Sequence, residues 1–424
     1  DEAISSAASG SVVVQGGVGT GVSLPYPLIV GAPVIFEAAA TYSTATVFDS
    51  NSNKVVISYR DVGNSSYGTS VVGTVSGTTI TFGTPVVFET ASVNHLRATF
   101  DSNSNKVVIV YSDVGNSSYG TAIVGTVSGT SISFGTAVVY NSSGISDSGV
   151  TFDSTNNKVV IAYQHSTNSN YGTAIVGTVS GTAISFGTDV VFETASVASV
   201  AATFDSANNK VVIAYKDEGN SSYGTAIIGT VSGTAISFGT AAVFEAASTT
   251  YITATFDSNA NKVAIAYKDN GTTYGTAVVG TVSATSISFG TAVVFETAST
   301  NNSTATFDSS SNRVVISYTD AGNSSHGTSI AGTISGTSIS FGTPVVFEAT
   351  STTYITATFD SVNNKTVTAY QNSATYGSAV VSNIPNLLTI GTDYFVQSDG
   401  SLSTTSSTVP AGRALSTTSM LLEG

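Results

Sequence analysis

The sequence predicts an all-β protein built from one repeated unit, and two observations support this. The Asp of a recurring motif, FDS-x-x-N-K or N-R, returns 52, 52, 52, 52, 51 and 52 residues apart, at Asp49, Asp101, Asp153, Asp205, Asp257, Asp308 and Asp360. Each unit holds short β-branched and aromatic runs separated by Asn, Ser and Gly clusters, with no helical periodicity. A period of this length is typical of an array or ring of similar units.

Residues 189–240 show what one unit contains. Four strands are predicted: strand a is "AATFD", strand b "KVVIAYKD", strand c "YGTAIIGTVS" and strand d "AISFGTAAVFE", which runs into the next unit. The connections are a–b "SANN", b–c "EGNSS", c–d "SGT" and d–a "TASVASV". Connections this short join antiparallel neighbours, so each unit is a four-stranded meander. Such units bury their faces by radial packing as blades or by stacking as an open solenoid.

The chain ends decide between a ring and an open stack. The seventh unit stops after its third strand, at 375–384, and no "SISFGT" follows. At the other end, "PLIVGAPVIFE" (27–37) matches "SISFGTPVVFE" (338–348) position by position. The N-terminal segment thus supplies the strand that the last unit lacks. We therefore predict a seven-bladed β-propeller over residues 27–384, with the N-terminal strand closing the last blade.

Composition excludes several classes of function. Hydrophobic residues make up 41% of the chain and charged residues 9%, and the net charge is −14 with only 12 basic residues. Nucleic acid is therefore a poor partner. Cysteine is absent, which excludes thiol chemistry and disulfides, and no run of about 18 apolar residues predicts a membrane span. Since the sequence begins at Asp1 rather than Met, we expect a fragment or a processed product.

The repeated "DSNSN" is similar to the first half of a calcium loop, because Asp, Asn and Asn stand at its first, third and fifth positions. The third position, however, is Ala207 in one copy and Val362 in another, and neither side chain can supply a ligand oxygen. The Gly and Glu that a calcium loop needs at positions six and twelve are also missing. Asn stands at the fifth position in all seven copies, where a hairpin commonly requires positive φ. A turn is therefore favoured over an ion site, with the Asp bonding the turn's own amides.

Recurrent acidic residues could suggest paired carboxylates for sugar hydrolysis. They follow "VVF" at Glu37, Glu89, Glu193, Glu245, Glu296 and Glu348, and follow strand b at Asp61, Asp113, Asp217, Asp269 and Asp320. A catalytic pair needs two acids in different environments, whereas residues repeated in nearly every unit serve the unit. We expect no enzyme, no catalytic residues, no metal and no cofactor.

Variation between the units gathers at one end of the predicted ring. In an antiparallel meander the a–b and c–d turns emerge on one face, which is uniform here, and the b–c and d–a loops on the other. The d–a loops differ most, and aromatic faces with amide donors in them would suit carbohydrate. Unconstrained drift of these loops is an equally open explanation. The candidate ligand-binding residues are Tyr42, Asn94, His95, Arg97, Tyr251, Asn301, Asn302 and Tyr354.

Two tails remain outside the ring, 1–26 and 385–424. The first contains "AISSAASGSVVVQGGV", and the second carries a set of motif residues, namely Gly391, Tyr394, Val396, Asp399, Gly400, Leu402, Ser403, Ala411, Gly412, Ala414, Leu415 and Ser416. With these residues the tails resemble the two halves of a small β-rich module found in phage tail-fibre and other virion appendage proteins, and the blade repeats resemble predicted structural proteins of marine bacteriophages. The module's halves are usually contiguous, so the propeller would be an insertion here. Locally, "DYFVQSDGSLST" also predicts a hairpin with a "DG" turn.

The resemblance implies a non-enzymatic phage virion appendage or decoration protein. It would be located on the virion, contact other virion proteins, and present its loop face to a host cell-surface glycan or protein. The alternative is a secreted bacterial lectin-like or filament-forming surface protein, and a purely architectural spacer is third. No membrane insertion is expected, and self-association is left open.

Overall fold

The computed structural model describes residues 28–385 and, beyond them, the backbone of four strands, Asp393–Val396, Leu402–Ser403, Pro410–Ala414 and Met420–Leu422. Residues 27–384 form one compact unit. Within these described parts the regular structure is β, apart from two single 3-10 turns, Val62–Asn64 and Val114–Asn116. The all-β prediction is confirmed. No helix in the described residues is long and apolar enough to cross a membrane.

Strands b and c are regular and pair antiparallel within each repeat, as predicted. Strands b are Lys54–Asp61, Lys106–Asp113, Lys158–His165, Lys210–Asp217, Lys262–Asp269, Arg313–Asp320 and Lys365–Gln371. Strands c are Tyr67–Ser76, Tyr119–Ser128, Tyr171–Ser180, Tyr223–Ser232, Tyr274–Ser283, His326–Ser335 and Tyr376–Asn383. In the fourth repeat the residues from Val211 to Tyr215 are all fully buried. Strand b reads as a continuous apolar run because both of its faces are covered.

The predicted strand d pairs with strand c of its repeat, but the segment is divided in two. Its first part forms the short strands Ile29–Val30, Thr79–Phe82, Ser131–Phe134, Ala183–Phe186, Ala235–Phe238, Ser286–Phe289 and Ser338–Phe341. A break of three residues follows, and the second part begins a long strand. The long strands are Val34–Asp49, Val86–Asp101, Val138–Asp153, Val190–Asp205, Ala242–Asp257 and Val293–Asp308, with the last divided into Val345–Ser351 and Thr353–Asp360.

The predicted d–a loops are therefore not loops but parts of these long strands. Each long strand pairs first with strand c of the preceding repeat and then with strand b of its own. In the fourth repeat, Glu193 lies opposite Gly172 and Ala201 opposite Ala214. The backbone stays extended while it crosses between repeats because it has a hydrogen-bonding partner on both sides of the crossing. The prediction failed because Ser, Thr and Asn in this segment read as loop residues.

The hydrophobic core lies between neighbouring repeats. One cluster joins Val160 and Phe192 to Ile213 and Tyr215, which belong to the next repeat. Each buried tyrosine of this kind donates a hydrogen bond to an acid, over 2.8 to 3.3 Å. The acid precedes the repeat in six cases, whereas Asp189, the partner in the third repeat, follows it. The pairs are Tyr59–Glu37, Tyr111–Glu89, Tyr163–Asp189, Tyr215–Glu193, Tyr267–Glu245, Tyr318–Glu296 and Tyr370–Glu348. Burial, followed by the charge of the acid, raises the pKa of Tyr59, so its phenol stays protonated and donates.

The first and last repeats meet as successive repeats do. Ile29 lies opposite Asn383, and Val34 opposite Ala379, so the N-terminal segment pairs with the last strand c. Phe36 packs with residues of both repeats, including Val55 and Val381. The predicted pairing is confirmed from Ile29 to Glu37, and residue 27 lies outside the described residues.

The C-terminal strands form a separate four-stranded antiparallel sheet. Phe395 lies opposite Ser403 and Val396 opposite Leu402, which is the hairpin predicted for this segment. Pro410–Ala414 pairs with both Asp393–Val396 and Met420–Leu422. The other half of the predicted module, residues 1–26, lies outside the described residues.

Candidate ligand cavity

One segment from each of the seven repeats lines a central cavity of about 510 Å³. All seven segments belong to strand a, the second part of the long strands. In each segment the lining begins with the residue six positions before the repeat Asp. We call these seven residues the variable ring: Ser43, His95, Asp147, Ser199, Tyr251, Asn302 and Tyr354.

The backbone at the variable ring is unusual for a strand. The pairing register shifts at this point, for example between Ala198 and Ala201. Six of the seven ring residues have positive φ, with Tyr251 at 52° and His95 at 52°. Positive φ is uncommon for a bulky side chain, and a bulge re-aims the side chain that it carries. The ring side chains thus differ in orientation from the strand residues around them, and they line the cavity.

Two tyrosines supply aromatic surface to the cavity. Tyr251 is 40% exposed and Tyr354 is 39% exposed. The ring of Tyr42 packs edge-on against Tyr354, with 5.3 Å between ring centroids. The guanidinium of Arg60 lies 5.9 Å from the centroid of Tyr42. Tyr354 is therefore supported from behind by a cation–aromatic stack, while Tyr251 offers a more isolated face.

In the cavity wall, an ion pair joins the second repeat to the third. Arg97 Nη2 is 3.5 Å from Asp147 Oδ1, and Arg97 Nη1 donates to the carbonyl of Leu96 at 2.9 Å. Asp147 also accepts from two backbone amides, that of Ser148 at 2.9 Å and that of Val200 at 3.2 Å. Both charged groups are thus oriented by the backbone before any ligand arrives.

His95 lies beside this pair in the cavity wall. Burial lowers the pKa of His95 below its ordinary value; Arg97 lowers it further, and Asp147 opposes the shift. The imidazole is therefore neutral at neutral pH and offers one donor and one acceptor.

The structure brings together five of the eight candidate residues, His95, Arg97, Tyr251, Asn302 and Tyr354. The other three lie outside the lining of this cavity, and a binding role for them stays a prediction. Tyr42 packs behind Tyr354, Asn94 Oδ1 accepts from Arg60 Nη1 at 2.9 Å, and Asn301 Oδ1 accepts from Lys268 Nζ at 3.2 Å. Each of the three directly precedes a ring residue, and neighbouring side chains on a strand point to opposite sides.

Sequence reasoning missed three members of the variable ring, Ser43, Asp147 and Ser199. Aligning the copies on the repeat Asp and reading six positions back would have found them. Ser and Asp do not stand out at these positions because both are frequent elsewhere in the repeats, whereas aromatic and amide side chains do.

The opposite ends of the same strands are uniform. There, Thr–Phe pairs of successive repeats line a second cavity of about 440 Å³, which we call the Thr–Phe cavity; Phe100, Phe152, Phe204, Phe256 and Phe307 contribute to it. About five residues of extended chain, on the order of 17 Å, separate these phenylalanines from the variable ring along each strand.

The turn interpretation of "DSNSN" is confirmed. In every copy one carboxylate oxygen of the repeat Asp accepts two backbone amides of the turn, as Asp205 does from Ala207 and Asn208, each at 2.9 Å. The fifth-position Asn has φ between 52° and 55° in all seven copies. The basic residue that follows is half-buried rather than exposed, and Lys210 Nζ donates to Thr230 Oγ1 at 2.9 Å.

The recurrent acids have structural partners. The glutamates accept from the buried tyrosines, and Glu37 also accepts from the amide of Ala39 at 3.1 Å. The Asp residues after strand b accept from amides of the b–c turn, as Asp217 does from Asn220 at 3.1 Å.

No protein-family model and no curated protein matches the chain. Among solved structures, it is similar to the BP39L lectin from Burkholderia pseudomallei, with a TM-score of 0.59 and 10% sequence identity. The alignment covers 81% of this chain and 96% of that lectin's chain. Identity this low bears on the fold alone. The chain has a β-propeller-like repeat fold, similar to that of this bacterial lectin.

Proposed function

We propose that the chain is a seven-bladed, non-enzymatic β-propeller that binds a cell-surface glycan in the central cavity. One observation carries the proposal. The seven repeats agree at the Asp end of strand a and differ at the variable ring, where five residue types occupy seven equivalent positions. At the fifth-position Asn, which has the same positive φ and serves the turn alone, all seven repeats carry one residue type.

The chemistry of the cavity suits a sugar. A cavity of about 510 Å³ falls in the range of small-ligand sites. Tyr251 and Tyr354 present aromatic faces for the apolar side of a pyranose ring. The Arg97–Asp147 pair, His95 and Asn302 provide donors and acceptors for hydroxyl groups. The similarity in fold to a bacterial lectin adds support.

For the biological setting, we propose a virion appendage that contacts other virion proteins through its tail module. The C-terminal sheet, with its Asp393–Val396 and Leu402–Ser403 hairpin, is what the tail-fibre resemblance leads one to expect. A secreted bacterial lectin-like surface protein would use the same cavity. Genome neighbours that encode capsid or tail proteins would separate the two settings.

A glycan array tests the proposed binding. The matched variant is Tyr251→Ser with Tyr354→Ser, because Ser43 and Ser199 already occupy this ring position at positive φ. We expect the wild-type chain to bind a defined set of glycans and the double variant to lose them. The control Thr255→Ser lies at the other end of the strand and should bind as wild type. Equal binding by all three proteins would contradict the proposal.

A further inference from the structure

We infer that the central cavity takes one uncharged sugar per chain and holds it through two adjacent hydroxyl groups on the Arg97–Asp147 pair. This inference rests on the proposed glycan binding and names the ligand's charge, the contacting pair and the stoichiometry.

Both members of the pair keep free hydrogen-bonding capacity toward the cavity. Arg97 has five N–H donors, and only one bond to Leu96 and one to Asp147 use them, while its side chain is 41% exposed. Asp147 is 20% exposed, and each of its oxygens can accept more than one hydrogen bond. The backbone bonds to Leu96, Ser148 and Val200 fix where the remaining donors and acceptors lie.

A pair of neighbouring hydroxyls complements this arrangement. One hydroxyl oxygen accepts from the Arg97 guanidinium while the neighbouring O–H donates to the Asp147 carboxylate. Bonds to charged groups are the stronger kind, so both hydroxyls gain from the pair. A carboxylate ligand would place a second negative charge near Asp147, and an amine would face the Arg97 guanidinium. The charges of the pair cancel, which favours an uncharged ligand.

The pair occurs once in the ring of repeats. The positions equivalent to Arg97 are Ala45, Gly149, Ala201, Thr253, Thr304 and Thr356, none of which carries a charge. The one other ion pair among the described residues, Lys216–Glu218, does not line the cavity. Seven repeats therefore build a single site rather than seven, and the expected stoichiometry is one.

Calorimetry on the full chain tests the inference. The probes are the methyl glycosides of glucose, galactose, mannose and fucose, their single-deoxy analogues and the matching uronic acids. We expect one site per chain, and a loss of about tenfold or more when either hydroxyl of the preferred pair is removed. Arg97→Gln should weaken the parent sugar by a similar factor. It should lose discrimination against the analogue that lacks the Arg97-bound hydroxyl and keep it against the analogue that lacks the hydroxyl donating to Asp147. Lys216→Gln, which breaks the other ion pair, should behave as wild type.

The outcomes separate this inference from the proposed function. A stoichiometry near seven, tighter binding of a uronic acid, or wild-type discrimination against both deoxy sugars in Arg97→Gln would overturn the inference. Loss of binding in the tyrosine double variant would still support the cavity as the glycan site in that case. If no probe and no array glycan binds the wild-type chain, the proposed function fails and the inference falls with it. Melting curves of each variant confirm that it is folded, and Arg97→Gln removes none of the backbone caps that Asp147 provides.

Discussion

Positive φ occurs at both ends of strand a, but the residues that adopt it differ between the two ends. Near the Asp end, the turn requires positive φ once per repeat, and Asn fills that position in all seven copies. At the variable ring, positive φ occurs in six of seven repeats, yet the residues are Ser, His, Tyr and Asn. Asn tolerates this conformation better than Tyr or Ser.

This difference shows where side chains are needed for more than the fold. At the a–b turns each copy carries the same residue, Asn, which suits the positive φ. At the variable ring, a less suitable residue such as Tyr251 persists in a conformation that is uncommon for it. Uncommon backbone geometry of this kind tends to concentrate at functional sites. The contrast predicts that changes at the uniform end cost stability, whereas changes at the ring cost binding.

The strands a surround one cavity only if the ring of repeats is closed, and Phe36→Ala, which has the largest expected effect, tests the closure. Phe36 packs between the first and last repeats as Phe192 does between the third and fourth. We expect Phe36→Ala and Phe192→Ala each to lower the free energy of unfolding by about 3 to 5 kcal/mol, because each empties an equivalent core site. Denaturant unfolding measures both. A small loss of unfolding free energy in Phe36→Ala together with a large loss in Phe192→Ala would mean that the ring is open.

Removing a turn cap measures the role of the uniform end. Asp205→Ala leaves two backbone amides without their acceptor. We expect a loss of about 1 to 2 kcal/mol in unfolding free energy, similar to the loss of a helix cap, and unchanged glycan binding. Ser199→Ala, at the other end of the same strand, is the matched comparison and should cost less. Weaker glycan binding by Asp205→Ala would mean that the uniform end also contributes to binding.

Replacing Tyr251 by Asn should weaken glycan binding while it places a residue better suited to positive φ at this position. Asn302 occupies the equivalent position in the next repeat, so Asn fits the backbone there. We expect adsorption to glycan-bearing cells to weaken by about 1 kcal/mol, or roughly fivefold, with the melting temperature equal or higher. Lys210→Ala, on the uniform end, should leave adsorption unchanged. Weaker adsorption in the lysine variant alone would mean that binding belongs to the opposite end.

His95 should make the variable ring sensitive to acid. Because its folded pKa lies below the unfolded value, the unfolded chain binds more protons as pH falls below about 6.5, and stability is lost in that window. Above the unfolded pKa both states are neutral and the contribution is fully present. His95→Asn should therefore lose less melting temperature than wild type between pH 7.5 and pH 5.5. Equal losses would show that His95 is not held neutral by the fold.

The smallest expected effect is that of calcium on the turns. Each repeat Asp already bonds two amides of its own turn, so adding calcium or a chelator should leave the melting temperature unchanged. Thermal melts in both conditions measure this. A large drop with chelator would mean that the uniform end holds ions and is more than a set of turns.

Features that repeat were readable from the sequence. Strands b and c, the Asp–Asn turns and the closing segment 27–37 each depend on short-range pattern or on the period itself. Seven copies of one pattern average out local noise, so a single misleading residue such as Ala207 cannot hide the turn. The hairpin at Asp393–Val396 follows in the same way from a local turn signal.

The site needed the tertiary structure, since its composition depends on a strand that crosses between repeats. From the sequence alone, the ring residues cannot be told from the residues that directly precede them, such as Tyr42, Asn94 and Asn301. A shift of one residue on a strand, however, sends a side chain to the opposite side. Only the bulge at the variable ring decides which neighbour faces the cavity. Arg97 and Asp147 lie 50 residues apart and meet because two repeats place the same strand around one cavity. Contacts of this kind come from packing between repeats, which no single repeat encodes by itself.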